Sequence, residues 1–252
     1  MSALAFLIGA RRPSRVHRPA IRPLLSLVAG IGAVLTAAPA SAQPTVTLSV
    51  TNDYRLRGYT LSEGRPAAAL DLSYDHSSGL YLGISAIGVL AEGAEPRPLG
   101  LQESFGYARR LPSGLTIDAG ITNANYTHYA IGRQATRYTE VYLGLLGRGL
   151  SSHIFYSPHY LYSGLHSIYG EVDGVLRPAD HWRVNWHVGA QRLRSDRYHY
   201  AHTYADWRLG LTREFGRTQA QIAVSRGGRG PRPPAERDYG RTAIVATLTH
   251  SF

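Results

Sequence analysis

The chain has 252 residues, contains no cysteine and carries a formal net charge of +10 at pH 7. The absence of cysteine excludes a disulfide scaffold and a lipoprotein anchored through a lipidated cysteine. All of the basic residues are arginines, and five of the 27 fall within the first 42 residues. Subtracting these five leaves about +5 for the remainder, which removes the main support for a nucleic-acid-binding protein.

Residues 1–42 have the organisation of a secretory signal peptide. Arginines without any acidic residue come first, an apolar run follows over about 23–38, and small residues occupy 39–42. A basic start, an apolar middle and a small-residue cleavage site are the three parts of such a leader. An uncleaved N-terminal anchor is the alternative, but the apolar run is short and rich in Ala and Gly. The sequence therefore predicts a cleaved leader at 1–42 and one domain over 43–252.

Twelve segments with strand character follow the leader. After residue 43, no apolar run reaches the roughly 18 residues that a membrane-spanning helix requires. The predicted strands are 44–57, 66–75, 80–89, 101–110, 115–126, 137–147, 151–161, 165–177, 182–191, 203–214, 218–226 and 240–252. Side chains alternate between the two faces of a strand, so these segments predict an all-β fold with one apolar and one polar face per strand.

The alternation is clearest in the first, ninth, tenth and last segments. The last segment places Ile244, Ala246, Leu248 and Phe252 on its apolar face, opposite Arg241, Thr247, Thr249 and Ser251. The seventh segment is interrupted by Pro158, and the eighth has no clean two-residue period. A proline is tolerated in a strand mainly at an edge or a bulge, so these two segments are the weakest strand predictions.

The connections between the segments alternate in length. Tight turns follow the even segments, at 76–79, 111–114, 148–150, 178–180 and 215–217. Longer polar stretches follow the odd segments, at 58–65, 90–100, 127–136, 192–202 and 227–239, with a short exception near 163–164. Short periplasmic turns and longer external loops are typical of outer-membrane barrels, whereas a soluble sandwich has no reason to keep this parity. The sequence predicts a transmembrane antiparallel β-barrel of about 12 strands.

Charged residues on the polar faces would line the interior of this barrel. In lipid, unpaired backbone groups are costly, so the sheet must close, with its apolar rows against acyl chains. The inward charged candidates are Asp53, Arg55, Arg57, Asp71, Asp118, Glu140, Arg183, Asp206, Arg208, Glu214 and Arg241. Such groups can bias which ions enter a narrow lumen, or they can be structural ion pairs that stiffen a small barrel. Both interpretations remain open.

The stretch from Ser49 to Ala67 resembles the opening of the TorF porin family, in which a strand ending in D-Y-x-x-R-G precedes a Ser/Gly-containing loop and Pro-Ala. The matching residues are Asp53, Tyr54, Arg57, Gly58, Ser62, Gly64, Pro66 and Ala67. The resemblance covers about 43–110 and is diffuse afterwards. It implies an outer-membrane barrel with a porin-type activity. It also implies that Leu248 and Phe252 form part of a C-terminal signal for the barrel-assembly machinery, although His250 stands where Tyr is usual.

Three other functions have weaker support in the sequence. His199 and His202 show no recognisable ligand spacing, so no metal or cofactor is predicted. The Arg-Gly stretch 226–234 resembles an RNA-binding segment in isolation, but between two strands it indicates an external loop whose arginines could contact lipopolysaccharide phosphates. The third of these functions is that of a hydrolase. Its nucleophile and base candidates are Ser163, Ser167, His159 and His166, which lie in no known catalytic motif.

The resulting prediction is an outer-membrane porin, not an enzyme, that allows passive diffusion of ions or small polar solutes through a narrow charged lumen. Its expected partners are outer-membrane lipid and lipopolysaccharide, the barrel-assembly machinery and the solutes themselves, with no nucleic acid. One alternative is a non-conducting barrel that binds or anchors through the loops 192–202 and 227–239. The least favoured alternative is an outer-membrane hydrolase.

Overall fold

The computed structural model describes residues 42–91, 95–127, 135–195, 199–228 and 240–252. The predicted leader, except for its last residue, lies outside these ranges, within which no helix is long and apolar enough to cross a membrane. The strands are β1 (Ala42–Thr51), β2 (Arg55–Leu56), β3 (Tyr59–Thr60), β4 (Ala67–His76), β5 (Leu80–Leu90), β6 (Pro96–Arg110), β7 (Thr116–Tyr126), β8 (Thr136–Gly147), β9 (Leu150–Ser157), β10 (His166–Ala179), β11 (Trp182–Ser195), β12 (Tyr200–Phe215), β13 (Thr218–Arg226) and β14 (Ala243–Ser251).

All strands except β2 and β3 form a closed antiparallel barrel. From β4 to β14 each strand pairs with the next along the chain, and β1 pairs with both β4 and β14. Closure leaves no edge strand with unpaired backbone groups, which is the condition for a sheet that crosses lipid. The predicted all-β fold of twelve barrel strands is therefore confirmed.

The strand bounds agree with the predictions except in a few places. The first strand was predicted to reach residue 57 but ends at Thr51, and the seventh was predicted to reach residue 161 but ends at Ser157. The next residue there is Pro158, which has no N–H to donate to a neighbouring strand. Ending β9 at this point lengthens the following connection to residues 158–165, so the exception to the short–long alternation disappears. All tight turns lie at one end of the barrel, the tight-turn end, and the longer connections lie at the loop end.

The pairing that closes the barrel is the shortest. β1 and β14 share five paired residues, from Thr47↔Ser251 to Thr51↔Thr247, whereas β1 and β4 share ten. Where β1 ends, the side chain of Asn52 continues the pairing. Its Oδ1 accepts from the Ala246 N–H at 2.8 Å, and its Nδ2 donates to the Ile244 carbonyl oxygen at 3.2 Å. The backbone N–H of Asn52 also donates to the Ala246 carbonyl oxygen at 3.2 Å, so its backbone and its side chain together extend the pairing.

The outward face of the barrel is a belt of exposed apolar side chains. The belt includes Leu82, Ile84, Val141, Leu143, Ile154, Ile168, Leu209, Ile222, Ile244 and Leu248, each between 42 and 67% exposed. A surface of this kind is stable only against other apolar material, such as acyl chains. The belt is interrupted by Glu103 and by a short polar row in which Asn123 donates to Thr139 at 2.9 Å.

Candidate functional site in the barrel lumen

The connection between β1 and β4, residues 52–66, folds into the lumen, and we call it the inward segment. Its Leu56 and Leu61 are buried in one cluster with inward-facing residues of the wall: Ala69, Ile87, Val89, Leu99, Ala124, Tyr126, Tyr138, Leu193 and Tyr204. Tyr54 packs against the same cluster. A first strand that ran to residue 57, as the sequence predicts, would place Tyr54 and Leu56 on its outward apolar face. That placement is wrong, because the chain leaves the wall after Thr51.

Two tight turns give the inward segment its shape. The β2–β3 hairpin turns through Arg57 and Gly58, both with positive φ (49° and 76°), and a second turn has Glu63 and Gly64 at 56° and 76°. Positive φ at both central residues is typical of two-residue type I′ turns, in which glycine is strongly preferred. Gly58 also lacks space, because a Cβ atom there would lie 2.5 Å from the Cα of Gly227. The family-motif glycines are therefore required by backbone geometry.

Asp53 holds the inward segment together. Its Oδ1 accepts hydrogen bonds from the Thr60 hydroxyl, from the Ser62 hydroxyl at 3.3 Å and from the Gly64 N–H at 3.2 Å. Its Oδ2 accepts from Nε of Arg55 at 2.7 Å. An ionised carboxylate that accepts several hydrogen bonds is well suited to a buried position. Asp53 and Arg55 therefore pair within the segment and do not project from the barrel wall.

Arg57, at the tip of the hairpin, reaches the far wall of the lumen. Its Nη2 donates to Glu140 Oε2 at 2.6 Å, and its guanidinium lies 4.1 Å from the ring centroid of Tyr169 and 5.6 Å from that of Phe155. Burial alone would lower the pKa of the Arg57 guanidinium, but the Glu140 carboxylate outweighs it and the pKa is raised well above its ordinary value. Arg57 is thus a permanently charged anchor for the inward segment.

Large inward side chains fill one side of the lumen, which we call the filled side (Tyr81, Tyr142, Phe155 and Tyr169). Three of the rings on this side of the lumen lie directly opposite an inward glycine of the neighbouring strand. These pairs are Tyr81 with Gly106, Tyr142 with Gly120, and His153 with Gly144. A Cβ atom at each of these glycines would collide with the ring opposite. Glycine within a strand often marks such a close approach.

Polar groups connect the filled side into a continuous network. The Tyr81 hydroxyl contacts both the Asp118 carboxylate and the Tyr142 hydroxyl. Asp118 Oδ2 lies 3.2 Å from Nε2 of His153. Buried polar groups are normally satisfied in this way, and such networks favour one arrangement of the interior.

The opposite side of the lumen carries small side chains and contains a cavity of about 170 Å³. We call it the open side (Thr47, Ser49, Ala69, Thr247 and Thr249). Its wall is formed mainly by β1, β4, β12, β13 and β14. Six of the eleven predicted lumen residues line the cavity: Asp53, Arg55, Arg57, Asp71, Asp206 and Arg208. The structure therefore brings just over half of the predicted set to one place.

The other five predicted residues lie elsewhere. Asp118 and Glu140 belong to the filled side, with 2 and 3% exposure. Arg183 forms an ion pair with Glu214 at the tight-turn end. Arg241 precedes β14 and is exposed, with its guanidinium beside Gly64 of the inward segment, so it lies at the loop end and not within the last strand.

Several buried lumen residues were not predicted, among them His153, Tyr169, Glu171 and Asp173. The spacing of these residues along the sequence gives only a weak indication that they face the lumen. Tyr169, Glu171 and Asp173 are two residues apart and thus share one face of β10, while Gly170 interrupts the alternation on the other face. His187 lies on the polar face of the predicted ninth strand, but its partners on the neighbouring strands can be identified only from the register.

The residues considered for a hydrolase have separate partners. His159 Nδ1 accepts from the Gly164 N–H at 3.2 Å, and His166 Nδ1 lies 3.4 Å from the Tyr156 hydroxyl. The hydroxyl of Ser167 accepts from the Gln191 side chain at 2.9 Å. None of these three contacts in the described part of the chain joins a serine hydroxyl to an imidazole, the pairing that would activate a serine nucleophile.

Comparison with known proteins identifies the family. A model described as "Bacterial protein of unknown function (Gcw_chp)" matches residues 36–252, and the chain belongs to this family. That description does not include the name TorF, so the TorF resemblance stays a prediction. Comparison with curated protein sequences gave no match.

Two solved porin structures are similar in fold. The NanC porin has a TM-score of 0.56 and 12% identity, over 81% of this chain and 98% of its own. The KdgM porin has a TM-score of 0.52 and 10% identity, over 82% of this chain and 99% of its own. At these identities the likeness shows the fold alone, which is that of an outer-membrane porin barrel.

Proposed function

We propose that this member of the Gcw_chp family is an outer-membrane channel of narrow bore, through which ions and small polar solutes diffuse along the open side of the lumen. The observation that carries the proposal is the polar cavity beside the inward segment. Its lining extends from Ser225, near the loop end of β13, to Thr249, near the tight-turn end of β14. It therefore follows most of the height of the wall. The closed barrel and its apolar outward belt support a location in lipid.

The charges around the cavity are nearly balanced. Asp53 pairs with Arg55, Arg57 with Glu140, and Asp206 Oδ1 lies 2.7 Å from Nε2 of His187. Among the described residues, Asp71 and Arg208 are the cavity-lining charges without such an ion pair, and they have opposite signs. We infer that the channel discriminates mainly by size and only weakly by the sign of the charge.

The proposal includes a route to the membrane. Residues 1–42 act as the cleaved export signal, and the tight-turn end faces the periplasm. Leu248 lies outward on β14 and is 54% exposed, and the terminal Phe252 is 65% exposed. Both side chains are accessible to the assembly machinery, as the predicted C-terminal signal requires. Contact of the external loops with lipopolysaccharide remains part of this proposal.

The test is conductance in planar lipid bilayers. Purified protein should give small discrete current steps, with a reversal potential near zero across a salt gradient because the lining charges are balanced. Detergent without protein is the control. The absence of steps over a range of voltages and salts would contradict the proposal.

A non-conducting barrel is the second candidate, because the inward segment contacts so much of the wall. The same bilayer experiment separates the two when a variant with residues 54–63 replaced by a short Gly-Ser linker is included. Current steps only in this variant would mean that the inward segment closes the wild-type lumen. Steps in both, larger in the variant, are expected if the cavity conducts.

A further inference from the structure

Four potential metal ligands meet on the tight-turn side of Arg57. They come from three neighbouring strands: His153 from β9, Glu171 and Asp173 from β10, and His187 from β11. The register places Glu171 opposite His153 and Asp173 opposite His187. Ligand atoms of Glu171, Asp173 and His187 all lie within 4.8 Å of one another, and His153 Nδ1 lies 4.0 Å from Glu171 Oε1. All four residues are at most 4% exposed.

A second carboxylate orients each of the two imidazole rings. Nε2 of His153 is 3.2 Å from Asp118 Oδ2, and Nε2 of His187 is 2.7 Å from Asp206 Oδ1. An ionised carboxylate can only accept a hydrogen bond, so each Nε2 carries a proton. The other ring nitrogen, Nδ1, faces Glu171 in His153 and Asp173 in His187. In His187 it also donates to a carboxylate oxygen, and a metal ion bound there takes the place of that proton. Ligating histidines in metalloproteins are oriented by carboxylates in the same way.

Two atoms of this group have no hydrogen-bond partner in the described part of the chain. They are Asp173 Oδ2 and His153 Nδ1, on side chains that are almost completely buried. Most buried polar atoms in folded proteins are hydrogen-bonded, and an exception needs an explanation. Asp173 belongs to the three residues whose ligand atoms lie within 4.8 Å of one another, and His153 Nδ1 lies 4.0 Å from the Glu171 carboxylate of that group. An unpaired acceptor oxygen and an unpaired ring nitrogen beside the same carboxylate indicate a bound cation.

The local charge also favours a dication. Asp118, Glu171, Asp173 and Asp206 surround two histidines, and Arg57 is paired with Glu140 instead. Buried charges are costly unless they are paired or coordinate a metal.

We propose that His153, Glu171, Asp173 and His187 bind one divalent transition-metal ion, with Zn²⁺ as the first candidate. Two imidazole nitrogens and two carboxylate oxygens form a donor set suited to tetrahedral Zn²⁺, whereas Ca²⁺ and Mg²⁺ prefer oxygen ligands. The bound ion replaces the 2.9 Å hydrogen bond between His187 Nδ1 and Asp173 Oδ1. It joins β9, β10 and β11 beneath the inward segment and fixes the filled side.

The test is calorimetric titration of the refolded, metal-free full barrel with ZnCl₂ in detergent. Saturable binding of one ion per barrel is expected. Asp173→Asn and His153→Gln should each lower the affinity by about tenfold or more, because each removes a ligand. Asp71→Asn and His250→Gln are matched controls outside the cluster and should bind like the wild type. Circular dichroism checks that every variant is folded.

A second measurement keeps the test decisive if the ligand variants fail to fold. Co²⁺ added to the wild-type barrel should give the intense visible absorption bands of a tetrahedral nitrogen–oxygen site, and Zn²⁺ should abolish them by displacement. Failure of the wild type to bind Zn²⁺ saturably would overturn the proposal. So would equal affinity in the folded ligand variants, octahedral Co²⁺ bands, or displacement of Zn²⁺ by equimolar Ca²⁺.

Discussion

The two sides of the lumen follow the same strand alternation but differ in the size of their inward residues. The filled side presents aromatic rings and buried ionisable groups, and the open side presents Ala, Ser and Thr. Interiors of proteins are close-packed wherever side chains are large enough to meet. Whether a barrel of this diameter leaves a passage is therefore decided by inward residue volume on a few strands, and the strand count alone does not decide it.

The largest expected effect is a loss of folding free energy when the contact between the inward segment and the filled side is broken. Arg57→Ala leaves Glu140 buried without its partner, and removing one member of a buried ion pair costs about 3–5 kcal/mol. Urea unfolding of the refolded barrel should show a loss of this size. The double variant Arg57→Met/Glu140→Leu should recover most of it. A loss below ~1 kcal/mol for Arg57→Ala would mean that the segment is not anchored through this pair.

The second-largest expected effect is a fall in conductance when the open side is obstructed, which shows whether the open side is the passage. Thr247→Phe places a ring in the cavity and should lower single-channel conductance by about tenfold or more, because an ion must shed water to pass a constriction. Ala246→Phe is the matched control, since the adjacent residue faces outward. Equal conductance in both variants would place the passage elsewhere.

The smallest effect concerns the two cavity-lining charges that have no ion pair, Asp71 and Arg208. Removing one unit charge about 10 Å from a permeating ion in water changes the ion's energy by about 0.4 kcal/mol, or about twofold in relative permeability. Arg208→Gln should shift the reversal potential towards cation preference, and Asp71→Asn should shift it towards anion preference. Shifts in the same direction for both variants would contradict the balanced-charge model.

Much of the barrel could be predicted from the sequence, because alternation and connection length are local properties. The inward segment could not, since the alternation continues from β1 through Arg57 and hides the point at which the chain leaves the wall. Only the positive φ values at Arg57 and Gly58, and the hydrogen bonds to Asp53, reveal that the motif builds a folded hairpin. The residues that carry the resemblance include Asp53, Arg57 and Gly58 of this hairpin, but the resemblance gives no physical reason for them.

The cluster of His153, Glu171, Asp173 and His187 was beyond sequence reasoning for a different reason. Metal motifs are recognised by ligand spacing within one element, and these residues are brought together by cross-strand register over three strands. His199 and His202 are close along the chain, which is the only kind of proximity that the sequence shows directly. Pairing between strands was needed to find histidines that are close in space.

The side chain of Asn52 has a consequence for how the wall opens. Five register pairs, two backbone hydrogen bonds from Asn52 and Phe252, and the Asn52 side-chain amide hold β14 against β1, whereas every other barrel pairing has at least seven register pairs. Local opening is easiest where the fewest hydrogen bonds must break. Amide hydrogen exchange in the barrel should therefore be fastest along this strand pair, first at Ala246, whose N–H depends on the Asn52 side chain alone. Asn52→Asp, which keeps the acceptor but loses the donor, should accelerate that exchange less than Asn52→Ala.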